Sequence, residues 1–349
     1  MTLAAAIKTG DVALLPSRRQ EAWRWTDLRG ALREMPPASA AGGLADLPPA
    51  PFATLADDAV VFLNGRQVAG ESATIVEPGR AEPLALRWVS TASHGAHAAG
   101  WSLMLAAGAQ LTLLESHEGS GAGYVADDAV YIALGEGARL ERIVLIDEAV
   151  DSISVSTTAV ELAPGAMFAQ TVLTRGAKRQ RHETRIAHSG GGASVRLDGV
   201  YLLDGPVHAD LTTVVIHAGA GGATQQLTKG AVRGPSRAVF QGKIVVAEGA
   251  DRTDARMGHH ALILSDRAEV DAKPELEIYA DDVACAHGNT VGALDEQALF
   301  YAQQRGISEA EARAMLTEAF VGEVVDRIEH EGARMVARAW VERRLGGER

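Results

Sequence analysis

A short motif recurs through the middle of the chain. A glycine-alanine turn precedes alternating apolar residues at Gly108-Ala109-Gln110-Leu111, Gly137-Ala138-Arg139-Leu140, Gly165-Ala166-Met167-Phe168, Gly192-Ala193-Ser194-Val195 and Gly222-Ala223-Thr224-Gln225. The alanines lie 29, 28, 27 and 30 residues apart. Arg237-Ala238-Val239 and Arg267-Ala268-Glu269 repeat the interval, again 30 apart. Between the turns, segments such as Ser152 to Val160 and Val195 to Leu203 alternate apolar and polar residues, the period of a strand. Short strands at regular spacing, without helical stretches between them, predict a β-solenoid whose wraps stack inward-facing side chains on one another. A β-sandwich with glycine-rich turns is the alternative that this spacing leaves open.

The flanks read differently. Residues 1–75 form an N-terminal helical region, 76–288 the solenoid core and 289–349 a C-terminal helical domain. A helix is expected from Ser17 to Met35, carrying Trp23, Trp25, Leu28 and Leu32, and stopped by Pro36-Pro37. At the other end, Asp295 caps a helix with Leu294 and Leu299 placed as a hydrophobic staple. Ser308 and Glu311 form a capping box, after which Ala312, Met315, Leu316, Ala319, Phe320, Val324 and Ile328 make one apolar stripe. The first of these helices is expected to pack on the end of the solenoid. A last helix is expected from Gly332 to Arg344.

Several function classes fall away. A net charge of −12 argues against nucleic acid as a partner. No apolar run approaches the length of a membrane span, and Met1 to Gly10 lacks the pattern of a signal peptide. One cysteine precludes an internal disulfide, so the chain reads as cytoplasmic. Gln241-Gly242-Lys243 is followed by isoleucine, so no phosphate-binding loop is present. Neither a Gly-x-Ser-x-Gly elbow nor a His-Glu-x-x-His pair occurs, and nothing nominates the chain as an enzyme.

What remains is Asp281-Asp282-Val283-Ala284-Cys285-Ala286-His287-Gly288. On a strand, Val283, Cys285 and His287 share one face, with only alanines on the other. A thiolate and an imidazole are both good ligands for iron, zinc or copper, yet two ligands leave a metal site open. Further ligands would have to come from another chain or from distant residues. The adjacent His259 and His260 would point to opposite faces of a strand, one buried and one exposed, and are weaker metal candidates. His94 and His97 read as a solvated loop pair, and His182, His188, His208 and His217 as isolated structural positions.

Around this stretch the chain resembles a known family. Phe240-Gln241-Gly242-Lys243-Ile244, Lys273-Pro274-Glu275-Leu276-Glu277-Ile278, Asp282 to Gly288, Asp295 to Gly306 and Ala314-Met315-Leu316 are similar in content and order to the SufB/SufD family of the SUF iron–sulfur cluster assembly machinery. Glu21-Ala22-Trp23-Arg24-Trp25-Thr26 resembles that family's opening segment, and the single cysteine places the chain on the SufD side. The resemblance implies a right-handed parallel β-helix between helical terminal regions. It implies a non-catalytic scaffold that pairs with a SufB-like paralogue and binds a SufC-like ATPase through the C-terminal helices, where Met315, Ala319 and Phe320 are the docking candidates. It further implies a cluster, or its iron, held transiently at the subunit interface with His287 and Cys285 contributing, and no cofactor bound permanently. Where relatives commonly carry Asn-Asn, this chain has His259-His260. Without its paralogue, such a chain could pair with itself as a homodimer. Two other readings stand beside this one: a carbohydrate-active β-helix enzyme using acidic pairs such as Asp127-Asp128, and a purely structural interaction protein.

Overall fold

The computed structural model describes residues 2–346. Residue 1 and residues 347–349, the outermost parts of the two terminal segments, lie outside the described residues. Five α-helices are present among these: α1 (Leu3–Thr9), α2 (Leu28–Ala31), α3 (Glu296–Gln304), α4 (Glu309–Val325) and α5 (Glu331–Leu345). Between the helical ends, strands wind into a β-solenoid. One sheet has ten strands and the other eight, and successive strands alternate between them. Every pairing of named strands between wraps is parallel; the hairpin Asp58–Leu63 with Arg66–Ala69 is antiparallel, as is the isolated bridge Ala177 with His208. The parallel ladder begins at Asp58, within the segment assigned from sequence to the N-terminal region, and runs to Gly292.

The glycine corners lead into the strands of the ten-stranded sheet from Gln110–Gly119 to Thr253–Ile263, whereas Arg237-Ala238 and Arg267-Ala268 open strands of the eight-stranded sheet. Gly108, Gly137, Gly165, Gly192, Gly221 and Gly249 all have positive φ, which glycine adopts without a Cβ clash. The next residue is buried at each corner. This shows why one interval looked long. At the fifth corner the buried position is Gly222, not Ala223. A Cβ at 222 would stand 2.5 Å from His188 Cε1 and 2.7 Å from His217 Nδ1. Those two rings stack at 4.4 Å beneath the corner, and alanine does not fit over them.

Inside the solenoid, aliphatic and aromatic side chains stack in one long core from Val60 to Met257. A charged island interrupts it. Arg142 donates to Glu115 Oε2 (2.8 Å) and to Gln170 Oε1 (2.5 Å). Trp88 Nε1 donates to Glu115 Oε1 (3.1 Å), and His117 lies between Glu115 (3.0 Å) and Asp128 (3.3 Å). Burial alone would raise the Glu115 carboxyl, but Arg142 and His117 outweigh it and bring it down to about 2. Burial would likewise lower His117, yet its bonds to Asp128 and Glu115 hold it up at about 10. Two acids and two bases therefore neutralise one another within the lumen.

The terminal regions cover the two outer faces. The N-terminal segment lies on the eight-stranded sheet, burying Leu3, Ala6, Leu15 and Leu28 against Ala96, Val125, Ile153 and Val155. The helix expected from Ser17 to Met35 is not continuous; it is a 3-10 turn, Glu21–Trp23, then α2. The sheet claims the carbonyls a helix would use. Arg181 Nη1 donates to Ala22 O (2.8 Å), and His208 Nε2 contacts Trp25 O at 3.1 Å. The Arg181 guanidinium also lies 4.5 Å over the Trp23 ring. The C-terminal helices cover the outer face of the ten-stranded sheet, not the solenoid end as expected. Leu299, Ala312, Val321, Val324 and Trp340 pack on Leu145, Leu173, Val200 and Leu202. Glu141 anchors them by accepting from the backbone of Glu329 (2.6 Å) and His330 (2.9 Å) at the start of α5. The caps at Asp295 and Ser308 form as the sequence indicates.

Glu115→Gln leaves Arg142 buried opposite a neutral group and is expected to cost roughly 3–5 kcal/mol, the usual penalty for breaking a buried ion pair. Urea denaturation measures it; an unchanged midpoint would show that the lumen does not need this charge. The pH dependence has a definite sign. The share from Glu115 is present above its ordinary 4.5 and is lost as pH falls toward 2. The share from His117 is complete below 6.5 and is lost as pH rises through 10. Both are whole only between 4.5 and 6.5.

Candidate functional site: the open end of the solenoid

A solenoid covers each wrap with the next, so its last wrap has nothing above it. Here the final strands are Glu269–Ile278 in one sheet and Val283–Gly292 in the other. Each pairs on one side only, with Arg237–Val246 and Thr253–Ile263 respectively. Their other edges present free backbone donors and acceptors. Ile278, Tyr279 and Val291 are exposed at this end, Tyr279 at 64%.

Register places the side chains. Cys285 pairs with Ala255, His287 with Met257 and Asn289 with His259. Ala255 and Met257 belong to the solenoid core, and His259 is fully buried. Cys285, His287 and Asn289 therefore share the inward-facing parity, on a wrap with no wrap beyond it. The common face expected for Val283, Cys285 and His287 is present, and it is the lumen face. Val283 and Cys285 pack partly against the core, whereas His287 is exposed. Burial raises the Cys285 thiol above its ordinary value, with Asp254 adding to the rise against a backbone hydrogen bond from Ala255. The thiolate that binds metal is thus disfavoured until a cation or a donor arrives. No cluster of three or more His, Cys, Asp or Glu suited to a metal occurs among the described residues. Cys285 and His287 are two residues of metal-ligating type on this face, fewer than a closed site needs.

The other singled-out residues separate. His259 and His260 do point to opposite faces. His259 Nδ1 meets Asn289 Oδ1 at 2.7 Å, and His260 Nδ1 meets Thr290 Oγ1 at 2.7 Å. His97 is buried between Ser39 Oγ (2.9 Å) and Ser90 Oγ (3.1 Å), so the loop pair is not solvated as a unit. Met315 and Ala319 line a groove of about 620 Å³ between α4 and α5, floored by Gly322, Val325 and Val341. Its rim carries Glu318 and Glu342, with Asp326 paired to Arg338 and Glu323 to Lys229. Phe320 lies apart from the groove, its ring under Lys229 Nζ at 4.6 Å. Sequence reading missed the lumen island and the stacked pair His188 and His217. Strand parity was the available signal: Glu115 and His117 fall in phase with the inward Leu111 and Leu113.

Comparison with known proteins decides the family. Residues 89–320 match the SufBD core domain of SUF-system FeS cluster assembly. The chain belongs to the SufBD family. It is 33% identical over 304 residues to the iron–sulfur cluster assembly protein SufD of Escherichia coli, covering 83% of this chain and 70% of that one. It is 28% identical over 347 residues to the SufBD family protein ML0594 of Mycobacterium leprae, covering 91% and 87%. A SufBD family protein of Synechocystis, slr0076, is 33% identical over 197 residues, 56% of this chain and 44% of its own. The family's core domain thus takes in the open end, Cys285 and His287, together with α3 and most of α4. No helix among the described residues is long and apolar enough to cross a membrane.

The raised Cys285 thiol gives a direct expectation. The midpoint of its alkylation rate against pH should lie above that of a free thiol in a short peptide, because the thiolate is the nucleophile. A midpoint at or below the peptide's would mean that a neighbouring group stabilises the thiolate in the isolated chain.

Proposed function

We propose that this chain is a non-catalytic scaffold subunit for iron–sulfur cluster assembly in the cytoplasm. Its open solenoid end docks a SufB-like paralogue, and the nascent cluster or its iron passes through the joint. The observation that carries this reading is the uncovered last wrap, with Cys285 and His287 on its inward-facing side and free strand edges beside them. Strand edges of two solenoids can pair by main-chain hydrogen bonds, and a second chain supplies the ligands this one lacks. Few ligands and mixed nitrogen and sulfur donors suit a site that must release what it builds. On this reading the cluster is cargo and no cofactor stays bound. The chain resembles E. coli SufD in sequence over most of its length, which supports the assignment.

The second contact is with a SufC-like ATPase. The groove between α4 and α5 has an apolar floor and an acidic rim, so it fits an apolar anchor flanked by basic side chains. Met315, 55% exposed, and Ala319 are the docking residues. Phe320 supports α4 against the sheet from beneath. Without the paralogue, two copies can join through the same open ends as a homodimer.

In the reconstituted complex, His287→Ala should lower cluster yield from ferrous iron and sulfide without lowering the chain's melting temperature. Cys285→Ser should give a smaller loss, because the partner supplies the main thiolate. Unchanged yield in His287→Ala under limiting iron would remove the cluster role of this end. Ala319→Arg, which fills the groove and sets a fixed positive charge where a basic partner docks, should weaken ATPase binding by tenfold or more on the usual cost of losing a central contact. Calorimetric titration checks this, and wild-type affinity would place the dock elsewhere.

A further inference from the structure

His259 is buried one wrap below the open end, and both of its ring nitrogens are engaged. Nε2 lies 2.9 Å from the Tyr201 hydroxyl, and Nδ1 lies 2.7 Å from Asn289 Oδ1 on the last wrap. The ring is held flat against Phe240, with centroids 4.5 Å apart and planes 9° from parallel. Burial keeps the imidazole neutral, lowering it to about 4 despite the bond to Asn289. A neutral imidazole carries one proton, so one nitrogen donates and the other accepts.

The hydrogen-bond inventory fixes which. Tyr201 is fully buried, and among the described residues its hydroxyl has no partner except His259. If Nε2 carried the proton, the phenol could only accept and its own hydrogen would be stranded in the core. A buried donor left unmade is costly. Tyr201 therefore donates to Nε2, the proton sits on Nδ1, and Nδ1 donates to a carboxamide oxygen. That sets the Asn289 amide: Oδ1 faces His259, and the NH2 group is left for the exposed side of the last wrap, two residues along from His287 on the same strand face.

We propose that His259 is a positioning residue that locks Asn289 with its NH2 turned outward, as a hydrogen-bond donor to an anionic sulfur, a sulfide or thiolate, held at the open end. This rests on the cluster-assembly reading for the identity of the acceptor, but not for the locked amide. The chain's own residues make the arrangement. Tyr201 orients His259, His259 orients Asn289, and Asn289 offers two N–H bonds at the next inward position after His287.

Two arms test it. In the full chain labelled with isotopic nitrogen in histidine, NMR reads which ring nitrogen of His259 bears the proton at neutral pH. A proton on Nδ1, with the preference lost in Tyr201→Phe, is the expected result. A proton on Nε2 overturns the proposal whatever the chain does. In the complex, Asn289→Asp keeps an acceptor oxygen for His259 but replaces the NH2 group. Cluster yield from ferrous iron and sulfide should fall about tenfold, the loss expected for one hydrogen bond to a charged acceptor, with the melting temperature unchanged. His259→Gln, whose amide can donate in place of Nδ1, should retain more yield than His259→Leu. Wild-type yield in Asn289→Asp beside an impaired His287→Ala would overturn the donor role. If His287→Ala is itself fully active, the cluster reading of this end fails, the sulfur acceptor fails with it, and the NMR arm decides the locked amide separately.

Discussion

Parallel stacking is the constraint on which the rest depends. In a solenoid each wrap is stabilised by its two neighbours, and the interior is dry only because the next wrap lies over it. The first wrap here meets a hairpin, since Asp58–Leu63 pairs with Arg66–Ala69 as well as with Leu84–Ser90. The helices that could have capped the far end lie on the face of the ten-stranded sheet instead. The far end therefore keeps both its strand edges and its lumen-side residues available. Placing the C-terminal helices on a face also leaves the groove between α4 and α5 on the outer side of the molecule.

The lumen shows the same stacking logic applied to charge. A charged side chain inside a solenoid cannot reach water, so it must be neutralised by the wraps above and below. Glu115, Arg142 and Gln170 stand on neighbouring strands of the ten-stranded sheet, and His117 reaches across to Asp128 of the other sheet. The island therefore ties the two sheets together where aliphatic packing alone would let them slide. It does so at a position well removed from the open end, where His287 is exposed instead of being enclosed by a further wrap.

Much of this was legible in the sequence, because the solenoid repeat and the strand parity are both local signals. The Gly-Ala corners located the wraps, and alternation put Cys285 and His287 on one face. The misread interval at Gly222-Ala223 had a non-local cause: two histidines from other wraps stack under that corner and exclude a methyl group. The N-terminal helix failed for a similar reason. Its apolar residues have helical spacing, but Arg181 and His208, more than a hundred residues away, take its carbonyls. The docking surface of the last helices was likewise invisible, since an apolar stripe says that a helix is covered but not by what. Phe320 shares one apolar stripe with Met315, and only the fold shows Lys229 lying over its ring.

The pair His259 and His260 shows how an edge strand can be held with one ladder missing. Val283–Gly292 has backbone partners on one side only, so its fraying is opposed by half the usual hydrogen bonds. Adjacent residues on a strand face opposite ways, and two histidines in sequence therefore reach the last wrap from inside and outside at once. His259 bonds Asn289 in the lumen, and His260 bonds Thr290 on the outer surface. Neutral imidazoles suit both positions, because each offers a donor and an acceptor without adding charge. A lysine or arginine in either place could only donate, and would hold the strand through one charged tip. The double staple gives the open edge a fixed shape while leaving the backbone donors and acceptors of its outer side uncovered.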